Sequence, residues 1–63
     1  KSAIAYVNRG VAYHNLGYYQ AAIKDLQTAA AYFINSKETI AYQRTVKLIE
    51  TVQKQVAAKV EIG

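Results

Sequence analysis

Small and aromatic residues recur at helical spacing along the first third of the chain. Tyr6, Gly10 and Tyr13 are spaced four and three residues apart, so they share one face of a helix. The pattern predicts a helix over residues 3–16, with Ser2 as its N-cap because a serine side chain can bond a free backbone N–H there.

A second apolar stripe follows, and it predicts a helix over residues 20–34. Gly17 lies between the two stripes, where a helix C-cap favours a left-handed residue. The short connection predicts an antiparallel pair. Gly10, inside the first helix, costs about 1 kcal/mol relative to alanine. We therefore expect it to face Ala22 and to let the two backbones approach closely. The members of the second stripe are Ala22, Ile23, Leu26, Ala29, Ala30 and Phe33.

A third helix is predicted over residues 36–59, with Asn35 or Ser36 as its N-cap. At 1.5 Å per residue, a helix of about 22 residues reaches about 33 Å, whereas one of about 14 residues reaches about 21 Å. Its last turns, which carry Val52, Val56 and Val60, are therefore expected to overhang the hairpin, and either to fray or to bury their valines against a surface outside this chain. The tail over residues 60–63 is expected to fray.

The small and aromatic positions resemble a tetratricopeptide repeat, whose pattern is W-x2-L-G-x2-Y followed by A-x3-F and P. Three positions depart from this pattern: Arg9 stands for the Leu, Tyr18 for the usual acid at the turn, and Ile34 for the Pro. The resemblance implies an all-α solenoid fragment, with one antiparallel helix-turn-helix repeat and a long third helix that caps the array. The residues that carry it are Tyr6, Gly10, Tyr13, Gly17, Ala22, Leu26 and Ala29.

The resemblance also implies a function. In such repeats the first helix lines a groove that binds a protein or peptide partner. We therefore expect a protein–protein interaction scaffold module, the C-terminal repeat and cap of a larger repeat protein. An asparagine in the place of Asn8 helps to hold a peptide's C-terminal carboxylate in some members, but a full clamp also needs basic residues from neighbouring repeats. The expected groove residues are Ile4, Val7, Asn8, Val11, His14 and Asn15.

Self-association is the alternative function. One repeat cannot bury its faces alone, and about three are normally needed. The face of Tyr6, Arg9 and Tyr13 lacks a preceding repeat in this chain, and the third helix adds the overhanging Val52 and Val56. These surfaces predict a homo-oligomer.

Composition argues against other classes of function. The four acids are never three or four residues apart, His14 is the single histidine, and cysteine is absent, so we expect no enzyme, no metal and no cofactor. The net charge of +4 is spread along the chain, which argues against nucleic acid as a partner, although six tyrosines could stack on bases. No apolar run approaches a membrane span. The chain begins at Lys1 and is expected to be a piece of a longer protein, for which a cytoplasmic location is favoured.

Overall fold

The structure is a computed structural model, and it describes the backbone of residues 2–62 and the side chains of residues 2–59. Within that part the chain forms three α-helices and no strand: α1 (Ala3–Asn15), α2 (Tyr19–Asn35) and α3 (Thr39–Ile62). The all-α class is therefore confirmed, and the first two helices begin and end within one residue of the predicted positions. The backbone of residues 60–62 continues α3, so the expected fraying there is wrong, while the burial expected for Val60 and the fate of Gly63 lie outside this description.

The turn between α1 and α2 forms as the sequence predicts. Ser2 Oγ accepts a hydrogen bond from the backbone N–H of Ala5 at 3.3 Å, which makes Ser2 the N-cap of α1. Gly17 has φ +84°, and its N–H donates to the carbonyl of His14 while the N–H of Tyr18 donates to that of Tyr13. This pair of bonds is a Schellman C-cap. It reverses the chain within three residues.

The turn between α2 and α3 has the same hydrogen bonds but a different residue at its centre. Lys37 has φ +61°, and its N–H donates to the carbonyl of Ile34 while the N–H of Glu38 donates to that of Phe33. Ser36 is the C-cap of α2 rather than the N-cap of α3, so that prediction was wrong. The Schellman turn uses the residues that had been assigned to the next helix, and α3 begins three residues later than predicted.

The α1–α2 interface is built around Gly10, which is buried. A Cβ on Gly10 would lie 3.0 Å from Leu26 Cγ and 3.3 Å from the carbonyl oxygen of Ala22. Ala22 and Leu26 are 0% and 1% exposed. The predicted approach of Gly10 to α2 is confirmed. The absent side chain makes room for Leu26 as well as for the backbone of α2.

The third helix returns along α2 and extends the core. Val52 is 2% exposed and clusters with Ala22 and Leu26. The expected overhang beginning at Val52 is therefore wrong. The Lys59 ammonium still lies 5.5 Å from the ring centre of Tyr19, the first residue of α2. The reason is that α3 begins later and α2 is longer than predicted, so the two helices remain side by side. None of the helices in the described part has the length and apolarity needed to cross a bilayer.

Candidate functional site

A groove of about 380 Å³ lies between the N-terminal halves of α1 and α3. Both helices run antiparallel to α2, so they lie side by side in the same direction. Phe33 of α2 forms the floor and is 6% exposed, whereas Ile4 and Ile40 are 63% and 67% exposed. The groove thus has a buried aromatic floor and exposed aliphatic walls. Its lining residues are Ile4, Val7, Phe33, Ile40, Ala41, Arg44, Thr45 and Leu48.

Helical spacing explains which residues form each wall. Ile4 and Val7 are three residues apart on α1 and therefore lie on one face. Ile40, Arg44 and Leu48 follow one another at intervals of four along α3, so they form a single row. Each wall is a continuous helical face.

The opposite ends of α1 and α3 are joined. The His14 Nε2 atom shares a hydrogen bond with Gln55 Oε1 at 2.5 Å. The His14 ring also lies 5.7 Å from the ring of Tyr19. His14 is half-buried in these contacts, which give it a structural role and bridge the two helices away from the groove.

The sequence identified one wall of this groove in part and missed the other. Of the six expected groove residues, Ile4 and Val7 line it. The missed wall had a signal, because Ile40, Arg44 and Leu48 are spaced at intervals of four. The other four expected residues do not line the groove: Asn8, Val11, His14 and Asn15.

Arg44 is the charged residue among those that line the groove. Among the described side chains, no carboxylate lies within 4.0 Å of the Arg44 guanidinium. The ion pair found among those side chains joins Arg9 to Asp25, outside the groove. An exposed guanidinium beside an apolar surface offers a planar set of donors for a carboxylate. The groove therefore combines aliphatic contacts with one cationic group.

A second surface lies on the α1–α2 face that carries Arg9. Its guanidinium donates two hydrogen bonds to Asp25, with Nε–Oδ2 2.7 Å and Nη2–Oδ1 2.9 Å. It also lies 5.8 and 5.7 Å from the ring centres of Tyr6 and Tyr13. Tyr6 stacks on Tyr32 of α2, with ring centres 5.8 Å apart. The expected self-association residues Tyr6 and Tyr13 therefore belong to one aromatic surface.

The other two expected self-association residues lie elsewhere. Val52 is buried against α2 within the same chain, so it offers no surface to a second copy. Val56 is half-buried one turn later on α3. The burial of Val52 corrects the expectation that both valines are exposed on an overhanging end.

Asp25 is 6% exposed, which its sequence context did not predict. The hydrogen bonds from Arg9 hold the pKa of Asp25 below its ordinary value, although burial acts in the opposite direction. The same pair raises the pKa of Arg9. The stability that the lowered pKa provides is present above the ordinary carboxyl pKa of about 3.9 and is lost as the pH falls through the folded-state value.

Within the described part of the chain, no three histidine, cysteine, aspartate or glutamate side chains come together as metal ligands would. The α1–α3 groove and the aromatic surface are two candidate binding sites among the described residues. Comparison of the chain with protein-family models, with curated proteins and with solved structures gives no match.

Proposed function

We propose that the chain is a protein-interaction module of the tetratricopeptide-repeat type, and that its α1–α3 groove binds an aliphatic segment of another protein. The carrying observation is the exposure of Ile4 and Ile40 on either side of the buried Phe33. Burying an aliphatic side chain is worth about 1.5–3 kcal/mol, so a segment that covers both walls would bind favourably.

Three features support the repeat-type part of this proposal. Gly10 is buried in close contact with α2, Gly17 adopts the left-handed C-cap conformation, and Leu26 fills the space beside Gly10. The third helix packs against α2 beside α1, and the two helices line the groove together. Its outward-facing residues include the exposed Gln43, Lys47 and Glu50, which suits the end of an array because terminal repeats need a polar outer face.

Selection of peptides from a random phage-displayed library against the chain tests this function. The immobilised targets are the wild type, the double variant Ile4→Gln/Ile40→Gln and the control Leu16→Gln. Leu16 is 65% exposed, comparable to Ile4 and Ile40, but it lies at the C-cap of α1 outside the groove. Glutamine leaves the charge unchanged, and circular dichroism checks that each variant is equally helical.

We expect the wild type to enrich peptides with aliphatic residues. The double variant should bind them at least tenfold more weakly, because about 1.4 kcal/mol corresponds to a factor of ten. The Leu16→Gln variant should bind them as the wild type does. Failure to enrich any aliphatic peptide, or equal binding by the double variant, would reject the groove as a binding site.

Self-association remains a second candidate, and the aromatic surface favours it. Tyr6, Arg9 and Tyr32 form a row, and a shallow pocket of about 320 Å³ lies beside Tyr6 and Arg9. Tyrosine and arginine are enriched at protein interfaces. Sedimentation at low and high concentration separates the two functions: a concentration-dependent mass that Tyr6→Ser abolishes supports a homo-oligomer, and a helical monomer throughout contradicts it.

A further inference from the structure

We propose that Arg44 makes the groove selective for a segment in which an acidic side chain lies between two aliphatic side chains. This inference rests on the proposed function and goes further, because it names the chemistry of the partner. Arg44 would donate hydrogen bonds to the acidic side chain of the partner, which makes it a specificity-determining residue.

The spacing along α3 sets the order of the three groups. Ile40, Arg44 and Leu48 are four residues apart, which places successive side chains about 6 Å apart along the helix. In an extended peptide, alternate side chains on one face repeat at about 6.7 Å. A segment that runs along α3 with the pattern aliphatic–any–acidic–any–aliphatic would therefore place its acid opposite Arg44 and its aliphatic residues opposite Ile40 and Leu48.

Charge complementarity selects the acid. Arg44 is the charged residue of the lining, and within the described side chains it has no carboxylate partner. A guanidinium binds a carboxylate through two parallel hydrogen bonds, which are stronger than bonds between neutral groups. A basic segment would instead place a second positive charge against Arg44, in a chain whose net charge is already +4. Electrostatics thus favour an acidic segment over a basic or a neutral one.

The same charge disfavours a second copy of this chain in the groove. If two copies met groove to groove, Arg44 of each would approach the other, and no lining residue supplies a carboxylate. Like charges in a contact are destabilising. A partner of different sequence, with its own acid, is the occupant that the groove fits.

The test repeats the peptide selection with two variants of equal charge. Arg44→Glu and Lys54→Glu each change the net charge from +4 to +2, because a lysine or arginine is replaced by a glutamate. Lys54 lies ten residues further along α3, about 15 Å from Arg44, and does not line the groove. The library is displayed with each peptide fused at its C-terminus, so a terminal carboxylate cannot substitute for an acidic side chain. The best wild-type peptide is then synthesised with amide ends for binding measurements.

We expect the wild type and Lys54→Glu to enrich Asp or Glu between two aliphatic residues, and Arg44→Glu to enrich Lys or Arg at that place. Exchange of the acid for its amide in the synthetic peptide should weaken binding to the wild type about fivefold or more. Exchange of the acid for lysine should weaken binding to the wild type further, but strengthen binding to Arg44→Glu.

Two outcomes overturn the inference and are distinguishable from failure of the proposed function. If aliphatic peptides are enriched without a preference for an acid, the groove binds but Arg44 does not select. If Arg44→Glu and Lys54→Glu shift the preference equally, the overall charge selects and the position of Arg44 does not. If no aliphatic peptide is enriched at all, the proposed function fails, and this inference fails with it.

Discussion

The helix α2 packs against both α1 and α3, and the two interfaces are built from different kinds of contact. Towards α1, the buried Gly10 brings the backbones close and Arg9 forms a bidentate pair with Asp25. Towards α3, the contact is made by ordinary side chains such as Val52 and Thr45, both 2% exposed, and α3 contains no glycine. The α1–α2 interface therefore depends on a missing side chain and a charge pair, whereas the α2–α3 interface is made by the packing of side chains.

The largest effect should come from filling the space at Gly10. In Gly10→Leu the new side chain would meet Leu26 and the backbone of Ala22, where even a Cβ would be 3.0–3.3 Å from its neighbours. Overpacking costs about 1–3 kcal/mol, which is a large share of the roughly 3–5 kcal/mol that a core of this size supplies. Urea unfolding followed by circular dichroism measures the loss.

A matched substitution in the same helix is Ala12→Leu, because Ala12 is exposed on α1. It should leave the free energy of unfolding nearly unchanged, since leucine and alanine differ little in helix propensity. Equal midpoints for Gly10→Leu and Ala12→Leu would show that Gly10 is not needed for the close approach.

The next effect concerns the charge pair of the α1–α2 interface. Below about pH 3.9 the unfolded carboxyl is protonated, and protonating Asp25 in the fold removes the bonds from Arg9. Because the folded-state pKa of Asp25 is lowered, the wild type should lose stability as the pH falls from 5 to 2. Asp25→Asn should be less stable than the wild type at pH 7, and the difference should shrink towards pH 2. Urea midpoints at each pH measure this.

Glu50→Gln is the control for the acid titration, because Glu50 is an exposed carboxylate on α3. Its unfolding midpoint should follow the wild type across the same pH range. A constant difference between wild type and Asp25→Asn from pH 7 to pH 2 would contradict the assigned role of Asp25.

The first hairpin could be predicted from the sequence more closely than the second turn and the groove. Gly10 and Gly17 occupy places where a side chain is disfavoured, a close helix contact and a left-handed C-cap, so each indicates its local structure in the sequence. The hairpin was accordingly predicted to within a residue at its helix ends. The sequence marked a break at Asn35 and Ser36, but the second turn carries Lys37 instead of glycine at its left-handed position. The length of the turn was therefore not predicted, and α3 was predicted to begin too early. The groove wall of Ile40 and Arg44 depends on where α3 begins and how it is rotated against α2. That part of the site was therefore missed.

The two turns should respond oppositely to substitution at their central residue. Lys37 has φ +61° and Gly17 has φ +84°, and only glycine adopts this region without a Cβ penalty. Lys37→Gly should stabilise the chain by about 0.5–1 kcal/mol. Glycine relieves the cost of the left-handed conformation, and this gain exceeds the loss that comes from the greater freedom of glycine in the unfolded chain. Gly17→Ala should destabilise it by about 1 kcal/mol.

Steric clashes do not complicate this pair, because nothing lies within 4 Å of a Cβ at Gly17. Urea midpoints of the two variants are compared with Lys37→Ala, which removes the side chain and keeps the Cβ. Lys37→Ala should stay close to the wild type. A gain in Lys37→Ala as large as that in Lys37→Gly would show that the lysine side chain, and not the backbone conformation, limits the second turn.

The smallest effect should come from the bridge between α1 and α3. Gln55→Ala removes the hydrogen bond to His14. Because Gln55 is exposed, water can take its place beside His14, so the free energy of unfolding should fall by about 0.5 kcal/mol or less. Gln53→Ala, at another exposed position of α3, makes the same exchange without a bridge and should have no effect. Hydrogen exchange should still differ between the two variants, with faster exchange at the backbone amides around Gln55 in Gln55→Ala alone. If Gln55→Ala lowered the free energy of unfolding as much as Gly10→Leu does, the position of α3 would depend on its contact with α1. Packing against α2 could then no longer be regarded as the main source of stability for both α1 and α3.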